Sequence, residues 1–181
     1  MKKLFAILFV LLYVSVYGET DIQKMNKYLC LSIKVNDIQK VKSAFKLGAQ
    51  ADAIYDNTPA LIWAVIIGNI EIVEEILKNN PNLELKDEKQ KTALCAAVID
   101  NQEKIALLLI SNGANVNSKA QFDITPLMIA VGIESLSLVK ILLNNKADIH
   151  AKDDRGDTAL DYAKHINNKE IINILIENGA K

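Results

Sequence analysis

The chain has 181 residues and a mass of 20.0 kDa, which suits one domain with a sizeable core. Half of its residues are hydrophobic and 24% are charged, a balance that argues against a disordered chain. The formal net charge of −1, with Arg155 as the single arginine, argues against a nucleic-acid-binding surface and against an arginine cluster for phosphate.

The first eighteen residues have the layout of a secretory signal peptide. Lys2 and Lys3 precede an unbroken apolar run over residues 4–14, and the polar chain begins at Glu19. Val16 and Gly18 suit the −3 and −1 positions, so we predict a cleaved signal peptide over residues 1–18. The run is too short to cross about 30 Å of hydrocarbon, which argues against a membrane anchor.

Cleavage after Gly18 removes two lysines and leaves 19 positive against 22 negative charges, a net charge of −3. Lysine, isoleucine and asparagine are used heavily, and together with the lysine-led leader this usage is typical of a bacterial envelope protein. We therefore expect an exported protein that acts in the periplasm in preference to full secretion. No later apolar run approaches spanning length, so no membrane span is expected after cleavage.

The remaining chain, residues 19–181, repeats with a period of 33 residues and is predicted to form one domain. Three segments, 91–97, 124–130 and 157–163, align without gaps, and each carries a threonine, a leucine and an alanine in phase. A fourth copy precedes them, with its Thr-Pro pair one residue early, and a fainter copy begins near Leu29. The predicted units are approximately 22–54, 55–86, 87–119, 120–152 and 153–181.

Each unit is predicted to form a turn and two antiparallel helices. Thr125 can cap the first helix while Pro126 occupies its first turn, and the same role is predicted for Thr58-Pro59. Apolar pairs recur eight and twelve residues after each unit's alanine, which places them on one face of the second helix. A helix stop then follows in every unit, at Gly48, Asn80, Gly113, Lys146 and Gly179.

These linked motifs resemble the ankyrin repeat family over essentially all of the mature chain. The segments 113–117 and 146–153 are similar to its helix-to-hairpin linker, and Thr125-Pro126-Leu127 with Ala130 to its inner-helix signature. The resemblance implies an all-α solenoid of about five helix-turn-helix units with hairpin-like linkers. It also implies non-catalytic binding of a protein partner.

The sequence departs from the family pattern in three respects. The histidine that follows the leucine is replaced by Ile62, Cys95, Met128 and Asp161, so we expect less rigid turns between units. The turn glycine is kept as Gly156 but is replaced by Gln90 and Asp123. Unit five carries Asp161 and Lys164 where a sixth unit would pack, which is typical of a terminal unit, although Ile174 keeps its second helix apolar there.

The candidate chemical groups favour structural roles. Cys30 and Cys95 hold the same inner-helix position two units apart, on the order of 20 Å, so we predict two buried thiols and no disulfide. His150 and His165 lack metal-ligand spacing. Catalytic motifs are missing from the sequence, so neither an enzyme nor a cofactor or metal is expected.

Two further features invite a binding interpretation. The acidic cluster Asp153, Asp154 and Asp157 lies in a predicted turn, and a solvated turn is favoured there over a cation site. Trp63 lies beside Ala64 in the inner-helix signature, so a core position is favoured over an exposed one.

The resemblance implies that a partner docks on the hairpin tips and on the exposed side of the inner helices. The tips contribute Tyr55, Asp56, Glu88, Lys89, Lys91, Gln121, Phe122, Ile124, Asp154 and Arg155. The inner helices contribute Ile66, Ile67, Ile99, Asp100, Ile133 and His165. Within this set Ile66, Ile99, Phe122, Ile124 and Ile133 predict an apolar strip, which is typical of a partner surface. The alternative is that some of these isoleucines belong to the core.

The function that follows is non-catalytic protein–protein interaction outside the cytoplasm, by a monomer with no nucleic-acid partner. Three other interpretations remain open. They are an inhibitor or immunity protein for a toxic enzyme, a secreted effector that binds a host protein, and a structural spacer.

Overall fold

The computed structural model describes residues 20–181, and the predicted signal peptide lies outside that range. The described chain forms ten α-helices in five pairs. The pairs are α1 (Asp21–Lys34) with α2 (Ile38–Lys46), α3 (Ala60–Ile67) with α4 (Ile70–Leu77), α5 (Ala93–Ile99) with α6 (Glu103–Ser111), α7 (Pro126–Gly132) with α8 (Leu136–Asn144), and α9 (Ala159–His165) with α10 (Lys169–Glu177). The all-α expectation is confirmed.

The helices stack in two layers. The first helices of successive units contact one another in the order α1, α3, α5, α7 and α9, and the second helices likewise in the order α2, α4, α6, α8 and α10. The other regular elements are β1 (Ile54–Tyr55), which pairs antiparallel with β2 (Thr58–Pro59), and a 3₁₀ turn at Gln121–Asp123. None of the helices described between residues 20 and 181 is long and apolar enough to cross a bilayer.

A continuous core runs between the two layers. The repeated leucines and alanines of the first helices are buried, as at Leu94 and Ala97 of α5. The predicted apolar face of each second helix is largely buried as well, as at Leu138 and Leu142 of α8. The exception is Ile176 near the end of α10, which is predicted to be buried but is 53% exposed. Because alanines line the first helices, neighbouring units approach closely, and each unit buries an apolar face that it cannot bury alone.

Threonine caps begin the first helices of the last three units. The hydroxyl oxygens of Thr92, Thr125 and Thr158 each accept a hydrogen bond from the backbone N–H three residues later, at 3.3–3.4 Å. Pro126 occupies the first turn of α7, where a missing N–H is harmless. The predicted cap at Thr125 is therefore confirmed.

The same prediction for Thr58-Pro59 is wrong. Thr58 pairs with Tyr55 in the short hairpin, and its hydroxyl donates to the carbonyl oxygen of Asp56. Pro59 takes the N-cap position of α3, which has no side-chain cap. The cause is the loop shortened by one residue, which pulls the threonine out of the capping position and into strand pairing.

The five predicted helix stops all adopt left-handed backbone conformations. Their φ angles are 95° at Gly48, 51° at Asn80, 95° at Gly113, 66° at Lys146 and 101° at Gly179. The position therefore requires this conformation whether or not glycine supplies it, because the chain must turn away from the helix axis there.

Candidate functional site

Four members of the predicted apolar strip are exposed, namely Ile66, Ile99, Phe122 and Ile133. Between 39% and 58% of their surface is accessible, although they lie next to a fully buried core. The fifth member, Ile124, is half-buried and packs against that core. We use "the strip" below for the four exposed residues, because an exposed series of large apolar side chains is typical of a binding surface.

The strip isoleucines do not all hold one position in the repeat. Ile66 and Ile99 are 33 residues apart, whereas Ile133 lies one residue later in its unit, where it caps the end of α7. Ile166 follows Ile133 at the same spacing and is 38% exposed. Sequence reasoning missed Ile166, although the 33-residue spacing from Ile133 was a usable signal.

Backbone hydrogen bonds hold the hairpin tips in place. Within units three and four, the N–H groups of Asp87 and Ala120 donate to the carbonyls of Lys91 and Ile124 at 3.1 and 2.9 Å. Between units, the N–H of Asp154 donates to the Phe122 carbonyl at 3.1 Å. The N–H of Gln121 likewise donates to the Lys89 carbonyl at 3.3 Å, so the tips of units three to five are linked. Phe122 lies in this framework with a φ of 63° and is 58% exposed.

The other predicted tip and helix residues differ in exposure. Tyr55, Ile67 and Lys91 are half-buried, and the amino group of Lys91 pairs with Asp87 at 3.3 Å. The remaining predicted residues are exposed, namely Asp56, Glu88, Lys89, Asp100, Gln121, Asp154, Arg155 and His165. Glu88 is tied to the preceding tip, because the side-chain amide of Asn57 donates a hydrogen bond to its carboxylate.

The predicted solvated acidic turn is wrong for Asp153. Its side chain is only 1% exposed, and its Oδ1 accepts hydrogen bonds from the N–H groups of Arg155 and Asp157 at 3.0 and 2.8 Å. Its Oδ2 accepts from the Tyr162 hydroxyl at 2.9 Å and from the Arg155 guanidinium at 3.2 Å. Asp153 therefore organises the tip of unit five and presents no free oxygen pair to a metal ion.

The pKa of Asp153 lies below its ordinary value of 3.8. Burial by itself raises this pKa. Hydrogen bonds from the Asp157 N–H, the Tyr162 hydroxyl and Arg155 outweigh that effect because they stabilise the carboxylate. Burial, followed by the bond to Asp153, raises the pKa of Tyr162 above 10.0.

Trp63 lies at the edge of the core, half-buried, with its indole N–H donating to the Tyr55 carbonyl at 3.1 Å. The Nζ atom of Lys34 lies 4.1 Å from the centroid of the Trp63 ring and 5.6 Å from that of Tyr55. Sequence reasoning missed Lys34, because its neighbours belong to the next unit.

Where other residues replace the family histidine, different polar contacts form within the unit. In unit three the hydroxyls of Thr92 and Ser118 lie 3.1 Å apart in the core, and the Cys95 thiol lies 3.7 Å from Ser118. In unit five the Asp161 carboxylate accepts from the Thr158 N–H at 2.9 Å. Cys95 and Asp161 therefore keep a polar contact at this position, whereas the Ile62 side chain has no group that can form one.

The remaining candidate groups do not assemble into a reactive site. Cys30 and Cys95 are free and buried, as predicted, and burial raises the pKa of the Cys30 thiol to about 12. His150 and His165 are both exposed. Across residues 20–181, no group of three His, Cys, Asp or Glu side chains is placed to hold a metal ion.

Stacked helix pairs with linked hairpin tips define a helical repeat protein of the solenoid class. Family comparisons match residues 29–120 to ankyrin repeats in three copies, 109–163 to ankyrin repeats in many copies, and 155–181 to a single ankyrin repeat. The chain belongs to the ankyrin repeat family, whose members are generally protein–protein interaction modules and typically non-catalytic. A comparison with curated proteins found no match.

Proposed function

We propose that this protein binds a protein partner, without catalysis, through the strip and the hairpin tips around it. The observation that carries the proposal is the exposure of Ile66, Ile99, Phe122 and Ile133 in consecutive units. Large apolar side chains in water lower the free energy of association when a partner covers them.

The framework behind the strip supports the same proposal. The tips of units three to five are joined by backbone hydrogen bonds, and the first helices are packed into the core. A surface that is already ordered loses little conformational freedom on binding, so more of the contact energy appears as affinity. Charged side chains such as Glu88, Lys89 and Asp154 lie on the tips and supply a polar rim that selects the partner.

We place this activity outside the cytoplasm, in the periplasm in preference to the medium, and expect a monomer. The layout of residues 1–18 supports export, and the acidic mature chain supports a protein partner over a nucleic acid. Inhibition of a toxic enzyme and binding of a host protein are narrower forms of the same activity, and the identity of the partner separates them.

Affinity capture with residues 19–181 from an envelope extract of the source organism tests the proposal. The control chain carries Ile99→Ser, Phe122→Ser and Ile133→Ser, and circular dichroism verifies that it is folded. We expect one dominant partner that the control loses. Equal capture by both chains, or no capture, contradicts binding through the strip. Loss of an enzyme's activity in a stoichiometric complex would assign the inhibitor role.

A further inference from the structure

Lys34 holds its ammonium group in a corner formed by two aromatic rings and a carboxylate. Its Nζ atom lies 4.1 Å from the Trp63 ring centroid and 5.6 Å from the Tyr55 centroid. The same atom lies 3.9 Å from Oδ2 of Asp56. We call Tyr55, Asp56 and Trp63 the aromatic corner. An aromatic face attracts a cation through its quadrupole, and the carboxylate adds direct charge attraction.

The aromatic corner is held by the backbone and not by the lysine. The Trp63 indole donates to the carbonyl of Tyr55, which fixes the ring against its own hairpin. Tyr55 pairs with Thr58 across a two-residue turn, Asp56-Asn57, whose φ angles are 55° and 52°. Such a turn fixes the hairpin tightly, so the corner keeps its shape when the cation leaves.

Lys34, in contrast, is loosely held. It ends α1, its side chain is 34% exposed, and its Asp56 partner is more exposed still. An exposed ion pair at this distance contributes little to stability, because water screens it and the long side chain loses freedom in forming it. The contact with the Trp63 ring is also partly open to water, and a partner's cation that replaces Lys34 makes the same contact, so the flexible stem of Lys34 can move away at small net cost.

We propose that the aromatic corner binds a lysine or arginine side chain of the protein partner, which displaces Lys34 when the partner docks. This rests on the proposed function and adds the chemistry of the partner. Trp63 and Ile66 lie one helical turn apart on α3, so a basic residue in the corner brings the partner's adjacent apolar residues over the strip. Asp100, exposed at the end of α5 in the next unit, has no side-chain partner among the described residues and offers a second carboxylate to a basic partner.

Trp63 is the only tryptophan in the sequence, so its fluorescence reports on the corner directly. The probes are Nα-acetyl-lysine amide and Nα-acetyl-arginine amide, with Nα-acetyl-norleucine amide as the neutral match. The variant Lys34→Met removes the resident cation while keeping its stem length. Lys42→Met, on the exposed side of α2, removes the same charge elsewhere and is the matched control.

We expect Lys34→Met to bind the lysine and arginine probes about fivefold more tightly than the wild type, because competition and like-charge repulsion are gone. Lys42→Met should titrate as the wild type does. Adding Asp56→Asn to Lys34→Met should weaken binding again. The proposal is overturned if Lys34→Met and the wild type bind the lysine and arginine probes equally tightly. It is also overturned if Lys34→Met binds the norleucine probe as tightly as the two charged probes. The titration needs no partner, so its failure is distinct from failure of the capture experiment.

Discussion

The hydroxyl of Tyr162 donates a 2.9 Å hydrogen bond to Oδ2 of Asp153, nine residues earlier in the chain. The bond joins the inner helix of unit five to its own hairpin tip, and the Arg155 guanidinium bonds to both side chains. The orientation of this tip therefore depends on one buried carboxylate.

Tyr162→Phe tests this contact. We expect the free energy of unfolding to fall by about 1 kcal/mol, because a hydrogen bond is lost while its acceptor stays buried. Urea denaturation measures the change. Tyr55→Phe is the matched control, since no hydrogen bond is found for its hydroxyl in the described structure, and it should leave stability nearly unchanged.

The effect of Tyr162→Phe should depend on pH. Because the folded-state pKa of Asp153 lies below 3.8, its contribution to stability is present above pH 3.8 and is lost as pH falls through the lower folded value. The wild type and Tyr162→Phe should therefore converge in stability as the pH falls below about 3.8. A difference that stays constant or grows on acidification would contradict the assigned role of the carboxylate.

Gln90→Gly should stabilise the protein. Gln90 replaces the turn glycine of unit three and is held at a φ of 58°, which is unfavourable for a side chain with a Cβ atom. We expect a gain of about 1 kcal/mol in the free energy of unfolding, measured by thermal or urea denaturation.

Gln39→Gly is the control for that substitution. It makes the same chemical change at an exposed position in the first turn of α2, where glycine costs about 0.5 kcal/mol, the lower end of its range in helices. The two variants should shift the midpoint in opposite directions. Destabilisation by both would mean that the backbone at Gln90 is not strained.

Stability measurements should separate the strip from the core. Ile133→Ser, at a position that is 39% exposed, should lower the free energy of unfolding by about 1 kcal/mol, because part of its apolar surface is covered. Leu127→Ala, at a fully buried position on the same helix, should cost about 2–5 kcal/mol. A comparable loss for both would place Ile133 in the core and remove it from the binding surface.

The Cys30 thiol should be unreactive in the folded protein. Its pKa of about 12 leaves almost no thiolate at pH 8, and the side chain is buried. In a Cys95→Ala variant, a thiol reagent at pH 8 should label Cys30 only after denaturant is added. Rapid stoichiometric labelling without denaturant would show that unit one opens readily or packs differently.

Much of the fold could be predicted from the sequence because its signals are local and periodic. The 33-residue spacing places Leu94 and Leu127 in equivalent buried positions, and the stops at Gly113 and Lys146 mark the ends of second helices. Thr58 shows the limit of such inference. Because the preceding loop is one residue shorter, Thr58 lies in a strand, where it pairs with Tyr55, and not at the N-cap of the helix.

The candidate site was predictable only in part. Periodicity placed Ile66, Ile99 and Ile133 on the first helices, and their exposure agrees with that placement. It did not indicate that Ile124 packs against the core, nor that Ile166 joins the exposed series. The buried fraction of a side chain depends on the volumes of its neighbours in adjacent units. A repeat pattern does not determine those volumes.

The sequence by itself determined the length of the unit, the pairing of helices and the ankyrin family, because these follow from spacing along one chain. Only the tertiary structure decided that Lys34 covers Trp63 and that Asp153 is buried against Tyr162. Which polar groups pair with one another depends on the distance and orientation between them in the folded chain. Those contacts join a tip to a helix or one unit to the next, and they do not recur with the period of the repeat.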